Sequence, residues 1–135
     1  MDIGLEKLGW VKRAVDEAII VAITDKKGDI IYANKKFCEI SKYSEEELLG
    51  KNHRILKSGY HTPEFYRDLW SNITSGKTWQ ADIKNRAKDG SFYWVRTTIF
   101  PIVGNDSKPE YYVSVRADIT DLKNQLQELY ASQQL

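Results

Sequence analysis

WQADIKNRAKDGSFYW, residues 79–94, is the stretch from which the rest of the chain can be read. Trp79, Ala81, Ile83, Asn85 and Ala87 share one parity, and Gln80, Asp82, Lys84, Arg86 and Lys88 share the other. Such alternation is the period of a strand with one buried face. Lys88-Asp89-Gly90 is a hairpin signal, with Asp-Gly supplying the positive φ angles such turns use. Ser91 to Val103, rich in aromatic and β-branched residues, is the partner strand. Parity sends Asn85 to the buried side beside Trp79, where its amide needs hydrogen-bond partners. Two sources stay open: a bound ligand, or a neighbouring strand or water.

Working outward, Leu5, Leu8, Val11, Val15 and Ala18 fall at helical spacing and predict an amphipathic N-terminal helix with Trp10 at its margin. Ile19 to Thr24 is a short apolar strand, Lys26-Lys27-Gly28-Asp29 a turn, and Ile30 to Ala33 a second strand. Asn34 caps a helix from Lys35 to Ser41. Ser44-Glu45-Glu46-Glu47 reads as a capping box, and Gly50 ends the short helix it opens. His53 to Gly59 is irregular or briefly helical. Thr62-Pro63 starts the longest internal helix, which carries Phe65, Tyr66, Leu69, Trp70 and Ile73 near one stripe and ends at Gly76. Residues 105–109 form a loop, and Tyr111 to Ala117 is the fifth strand. The order β-β, helices, β-β-β predicts an α+β fold, an antiparallel sheet with short helices on one face and amphipathic helices at both ends.

Composition narrows the function classes. A chain of 135 residues suits one domain with one core. Its net charge of +1 favours neither a nucleic-acid surface nor an acidic tail, so no nucleic acid is expected as partner. Cys38 is alone, which excludes an intrachain disulfide and a multi-cysteine metal site. The longest apolar run, Ala18 to Ile23, is far too short to cross a bilayer, and no secretory signal opens the chain. The expectation is a cytoplasmic segment without membrane contact.

Asp25 with Gly28, Ile30 to Asn34, Phe37, Tyr43, Glu47-Leu48, Gly50-Lys51, Lys88-Asp89-Gly90 and Asp118-Ile119-Thr120 occur in an order that resembles the PAS sensor domain. The resemblance covers about Asp16 to Thr120. It implies a five-stranded sheet around a pocket that holds a flavin, a haem, a small metabolite or nothing, in a domain that senses rather than catalyses. It divides the chain into an N-terminal helix (1–17), a sensor domain (18–118) and the start of a C-terminal signalling helix (119–135).

Trp70, Gly76-Lys77-Thr78-Trp79 and Asn85-Arg86 with Lys88 are similar to the PAS subgroup that binds FAD, found in bacterial aerotaxis receptors and the redox regulator of nitrogen fixation. There the residues matching Trp79 and Asn85 flank the isoalloxazine ring. An indole offers the ring a flat apolar surface, and an amide can both donate to and accept from its polar edge. The resemblance thus implies FAD as cofactor, with Trp79, Asn85, Trp70, His53, Asn34, Ile83 and Leu56 as the cofactor-binding set. Light-sensing relatives carry a reactive cysteine in Gly-x-Asn-Cys-Arg, where this chain reads Gly50-Lys51-Asn52-His53-Arg54, so a cysteinyl flavin adduct is not expected. Haem-binding relatives use a histidine near the position of Phe65. His61 lies one turn earlier, and haem is not expected. His53 and His61 have no thiolate or carboxylate at ligand spacing, so no metal is expected, nor do they have a triad partner for catalysis.

Ile119, Leu122, Leu126 and Leu129 alternate by three and four residues, a short heptad seam beyond the Asp118-Ile119-Thr120 exit. The expectation is a homodimer through the N-terminal helix and a C-terminal coiled coil. The latter would lead to an output module such as a diguanylate cyclase, a histidine kinase or a chemoreceptor. The functional expectation is a redox- or oxygen-responsive flavoprotein sensor. The alternative is a cofactor-free dimerisation or small-metabolite-sensing module.

Overall fold

The computed structural model describes residues 3–134. Met1, Asp2 and Leu135, which the expected terminal helices include, lie outside the described residues. The order is α1 (Ile3–Ala18), β1 (Ile20–Asp25), β2 (Ile30–Ala33), α2 (Lys35–Ser41), α3 (Glu45–Leu48), a 3₁₀ turn (His53–Leu56), α4 (Pro63–Thr74), β3 (Trp79–Arg86), β4 (Phe92–Val103), β5 (Pro109–Asp118) and α5 (Thr120–Gln133). The strands make one antiparallel sheet in the order β2-β1-β5-β4-β3. The last strand therefore lies in the middle, between the first strand and the hairpin.

Pairing fixes which side chains share a face, because directly opposed residues point the same way. Thr24 opposes Tyr112, Ala22 opposes Ser114 and Ile20 opposes Arg116. Ser114 opposes Ile99, and Arg116 opposes Thr97. All eight are buried and belong to the face that α2, α3 and α4 cover. Phe37 and Leu48, from two of those helices, are fully buried in the same core. On β3 the parity reading holds: Trp79, Ile83, Asn85 and the following Ala87 are buried, whereas Gln80 and Arg86 are exposed.

Local chemistry explains the helix starts. Asn34 Oδ1 accepts from Phe37 N at 3.1 Å as an N-cap and from Val21 N at 3.0 Å, while its Nδ2 donates to the Ile19 carbonyl at 2.9 Å. One side chain thus ties α2 to the edge of β1. Ser44 and Glu47 form the expected reciprocal capping box. Thr62 caps α4, with Pro63 in its first turn.

Two turns differ from expectation. At the β3–β4 hairpin only Gly90 has positive φ, +88°. Asp89 acts through its carboxylate instead, accepting from Ser91 N at 3.0 Å and from Lys42 Nζ at 2.7 Å. β5 begins at Pro109 rather than Tyr111, because a proline at the first strand position forfeits no ladder bond.

The terminal helices stand apart from this core. Leu5, Leu8, Trp10 and Val11 of α1 are exposed, as are Leu122, Leu126 and Leu129 of α5. No described helix is long and apolar enough to cross a membrane. Replacing Asn34 by alanine should destabilise the chain by about 2–3 kcal/mol, since it removes a cap and two further ties to buried backbone. Urea unfolding checks this: the midpoint should fall with an unchanged slope.

Candidate functional site

Between the covered face of the sheet and α4 lies a cavity of about 230 Å³. Ile83 and Asn85 of β3, Ile99 of β4, Thr24 of β1 and Tyr112, Ser114 and Arg116 of β5 form its floor. Tyr66, Leu69, Trp70 and Ile73 of α4 form the facing wall. Residues Asn52, His53, Arg54 and Lys57 close one side. That side is stitched in place: Asn52 Nδ2 donates to the Lys27 carbonyl and to Asp29 Oδ1, both at 3.0 Å, and Lys57 bridges to Asn85 through backbone. Gly28 marks an end, with φ +89° and close neighbours: a Cβ there would meet Trp70 Cη2 at 3.2 Å and Asn52 Nδ2 at 3.3 Å.

The volume lies below the roughly 300–1,000 Å³ of sites for drug-sized ligands. It suits one fused ring system rather than a whole dinucleotide. Leu69, Ile73, Ile83 and Ile99 give it apolar walls for such a ring.

Polar groups punctuate those walls. Among the described residues, Tyr66 Oη, Asn85 Nδ2, Tyr93 Oη, Ser114 Oγ and Arg116 Nε are buried without a hydrogen-bond partner. All but Tyr93 belong to the cavity lining. Buried polar groups are nearly always paired, so these atoms are free to meet a polar group placed in the cavity.

Electrostatics is one-sided. Lys27, Arg54, Lys57 and Arg116 line the cavity, and no Asp or Glu does among the described residues. Arg116 is only 3 % exposed. Its Nη2 donates to His53 Nε2 at 2.7 Å, and its guanidinium carbon lies 5.9 Å from the Phe37 ring centroid. Burial pulls its pKa down to about 10, which leaves it charged at neutral pH. Because His53 Nε2 accepts, its proton sits on Nδ1 and the ring is neutral. Burial first, and the Arg116 charge second, hold the His53 pKa well below 6.5. Tyr93, directly opposite Asn85 on β4, is pushed up to about 12 by burial.

Of the expected site residues, Trp70, His53, Ile83 and Asn85 come together in the lining. Trp79, Asn34 and Leu56 are placed outside it. Trp79 packs edge-on against Phe65 and donates from Nε1 to Asp68 Oδ2 at 3.1 Å. Asn34 is occupied by backbone, as described above, and Leu56 is fully buried in the core. The expected set omits Tyr112, Ser114 and Arg116. Their alternation along one strand was the available signal, and an arginine at an inward position was its strongest part. His61 lies in a shallower cleft, where its Nε2 accepts from Lys84 N at 2.9 Å and its ring stacks on Phe65 at 4.1 Å. Cys38, half-buried on α2, packs against the core, and burial raises its thiol pKa.

Residues 16–121 match the family described as PAS domain. The nitrogen fixation regulatory protein of Klebsiella pneumoniae is 31% identical over 103 residues, 76% of this chain and 21% of the relative. The aerotaxis receptor of Escherichia coli (strain K12) is 32% identical over 106 residues, 78% of this chain and 21% of the relative. Blue-light-activated histidine kinase 1 of Erythrobacter litoralis (strain HTCC2594) is 32% identical over 93 residues, 69% of this chain and 26% of the relative. The chain thus spans about a fifth to a quarter of the length of these relatives. Among solved structures, an RNA-binding light-oxygen-voltage receptor superimposes with a TM-score of 0.78 at 24% identity, over 94% of this chain and 37% of that one. The light-oxygen-voltage domain of the Erythrobacter litoralis EL346 kinase gives 0.68 at 26% identity, over 76% of this chain and 96% of that one.

These matches correct two cofactor expectations. The sequence leads to FAD specifically and away from a cysteinyl flavin adduct. Light-oxygen-voltage proteins are among the solved neighbours, and a blue-light-activated kinase is among the relatives, so neither the restriction to FAD nor the exclusion of an adduct stands. The cavity gives the physical reason for the first: its apolar walls border a ring-sized space, the part common to all flavins, and do not single out one flavin from another. The second rested on His53 at the cysteine position and on Cys38 lying in an earlier helix, two positions within a fold shared with light-sensing proteins.

The depressed histidine pKa has a consequence for stability. A neutral His53 costs nothing above pH 6.5, but below it the unfolded chain gains a proton that the folded chain refuses. His61, lowered by burial and then by Lys84, acts in the same direction. Stability should therefore be level above neutrality and fall as pH drops from about 7 to 5. Urea midpoints across that window test it, and His53→Gln should flatten the slope.

Proposed function

Since the chain belongs to the PAS domain family, we propose that it is a signal-sensing module whose cavity binds the ring of a flavin, and that it relays the ring's state to its terminal helices. The observation that carries the reading is the pairing of apolar ring-sized walls with the buried, unpartnered Asn85 amide and Ser114 hydroxyl. A planar heteroaromatic with carbonyl, imine and N–H groups on its edge matches both properties. Kinship with an aerotaxis receptor, a nitrogen fixation regulatory protein and a blue-light-activated kinase supports a sensing role. A bound flavin would supply a ring whose charge and hydrogen-bonding pattern change with redox state or light.

The residues of the chain then divide the work. Leu69, Ile73, Ile83 and Ile99 exclude water from the ring faces. Asn85 Nδ2 donates to the edge, and Ser114 Oγ donates or accepts there. The exposed Lys27, Arg54 and Lys57 offer cationic contacts to an anionic side chain of the ligand. Neutral His53 is held by Arg116 and by its own backbone, whose N–H donates to the Gly28 carbonyl at 3.0 Å.

Asn85 shares β3 with a set of contacts on the opposite face of the sheet. Three residues earlier on β3, Asp82 meets Arg96 at 3.0 Å and Lys123 of α5 at 3.3 Å. The Lys123 ammonium also lies 4.7 Å from the Trp94 ring centroid. Trp94 N donates to Thr120 Oγ1 at 2.9 Å, and Ile119 N donates to the Trp94 carbonyl at 2.9 Å. A rearrangement at Asn85 thus has only one strand to cross before it reaches the root of α5. The exposed leucines of α1 and α5 favour a second copy of the chain as partner, with α5 leading to an associated output domain.

Absorption spectroscopy on the purified chain, supplemented with riboflavin, tests the reading. Expected is a yellow, protein-bound chromophore that bleaches with dithionite and returns with air. Asn85→Leu should weaken riboflavin binding by about tenfold or more, the worth of one buried hydrogen bond. A colourless protein that ignores riboflavin would sink the flavin reading and favour a metabolite-sensing or cofactor-free module.

A further inference from the structure

Resting on the flavin reading, we propose that Arg116 is the charge-reading residue of the cavity: a buried cation without a carboxylate partner, which makes the site hold a two-electron-reduced, anionic flavin more tightly than the neutral oxidised one.

The argument starts from what surrounds this side chain. Arg116 points inward from the central strand, 3 % exposed, and its Nε has no partner. Among the described residues, no ion pair involves it. His53, its hydrogen-bond partner, accepts through a neutral ring and cancels no charge. Phe37 adds only a distant ring face. A guanidinium taken out of water is ordinarily compensated by an acid nearby. Here the space it borders is the cavity, so the compensating charge belongs on the ligand.

Position distinguishes Arg116 from the other lining cations. Lys27, Arg54 and Lys57 are exposed, and water and salt screen them. Arg116 acts through a low-dielectric interior, where its field reaches any charge held in the same cavity. Asn85 is neutral, so it brings no charge with which to favour the anionic form.

The ring's chemistry supplies the charge. When an external two-electron donor reduces a neutral oxidised flavin, two electrons and one proton enter. The proton binds N5, and the remaining negative charge spreads over the N1–C2 carbonyl edge. Arg116 therefore gains a counter-charge on reduction and has none before it. By linkage, tighter holding of the reduced form also makes the bound flavin easier to reduce than the free one.

The test is an anaerobic titration of riboflavin, oxidised and then dithionite-reduced, into the wild-type chain, Arg116→Gln and Arg116→Met, with thermal melts of each unliganded protein. The wild type should bind the reduced form at least about tenfold tighter than the oxidised form, while in both variants that ratio falls to near one. Unliganded Arg116→Met should melt no lower than the wild type, because it sheds an uncompensated buried charge. Equal binding of both forms by the wild type, or a preference that survives in both variants, would overturn the proposal. So would a clearly lower melting point for both variants, which would make Arg116 a structural residue. If neither form binds any of the three proteins, the flavin reading itself fails, an outcome separate from those.

Discussion

Everything inside this domain depends on β5 lying at the centre of the sheet, hydrogen-bonded to β1 on one side and β4 on the other. A central strand has no freedom of register. Slipping it by one residue would turn Tyr112, Ser114 and Arg116 outward and bring Val113 and Val115 in their place. Two ladders hold it against that slip, so three polar side chains are delivered to the interior as a set. β3, at the sheet edge, delivers Asn85 by the same alternation. The cavity is the space these side chains share with α4.

What makes the interior unusual is the sign of its charge. A core of this size commonly buries a few polar groups and satisfies each of them. Here the buried arginine leans on a neutral histidine, and four of the lining residues keep an unpartnered polar atom. The cost is tolerated because the apolar remainder, with Phe37, Leu48, Leu56 and Val95 fully buried, is well packed around it. Such a division, a sound scaffold carrying an unsatisfied patch, is the pattern of a site and not of a defect.

The periphery follows a different rule. α1 and α5 present apolar stripes to solvent, while their polar ties run back to the domain: Lys36 Nζ to the Glu17 carbonyl at 3.1 Å, and Lys123 to Asp82. The ties anchor the roots of the helices.

Much of the fold was legible because it is local. Alternation over residues 79–87, the capping box at Ser44, the Thr62-Pro63 start and the Asn34 cap each rest on neighbours within a few residues, so pattern alone determined the elements and the buried face of Asn85. The site was legible only in part. Asn85, Ile83, Trp70 and His53 do line the cavity, but the sequence could not say that Asn34 would spend its amide on backbone, or that Trp79 would pair with Asp68. Those outcomes depend on partners far along the chain. Arg116 shows the limit most clearly: its neighbours in sequence are unremarkable, and only the pairing of β5 with β1 and β4 sets it against His53, 63 residues away. Secondary structure and parity came from short-range chemistry. The cavity, its unpaired donors and its charge were decided by tertiary structure, because burial and electrostatic compensation are properties of whatever the fold brings together.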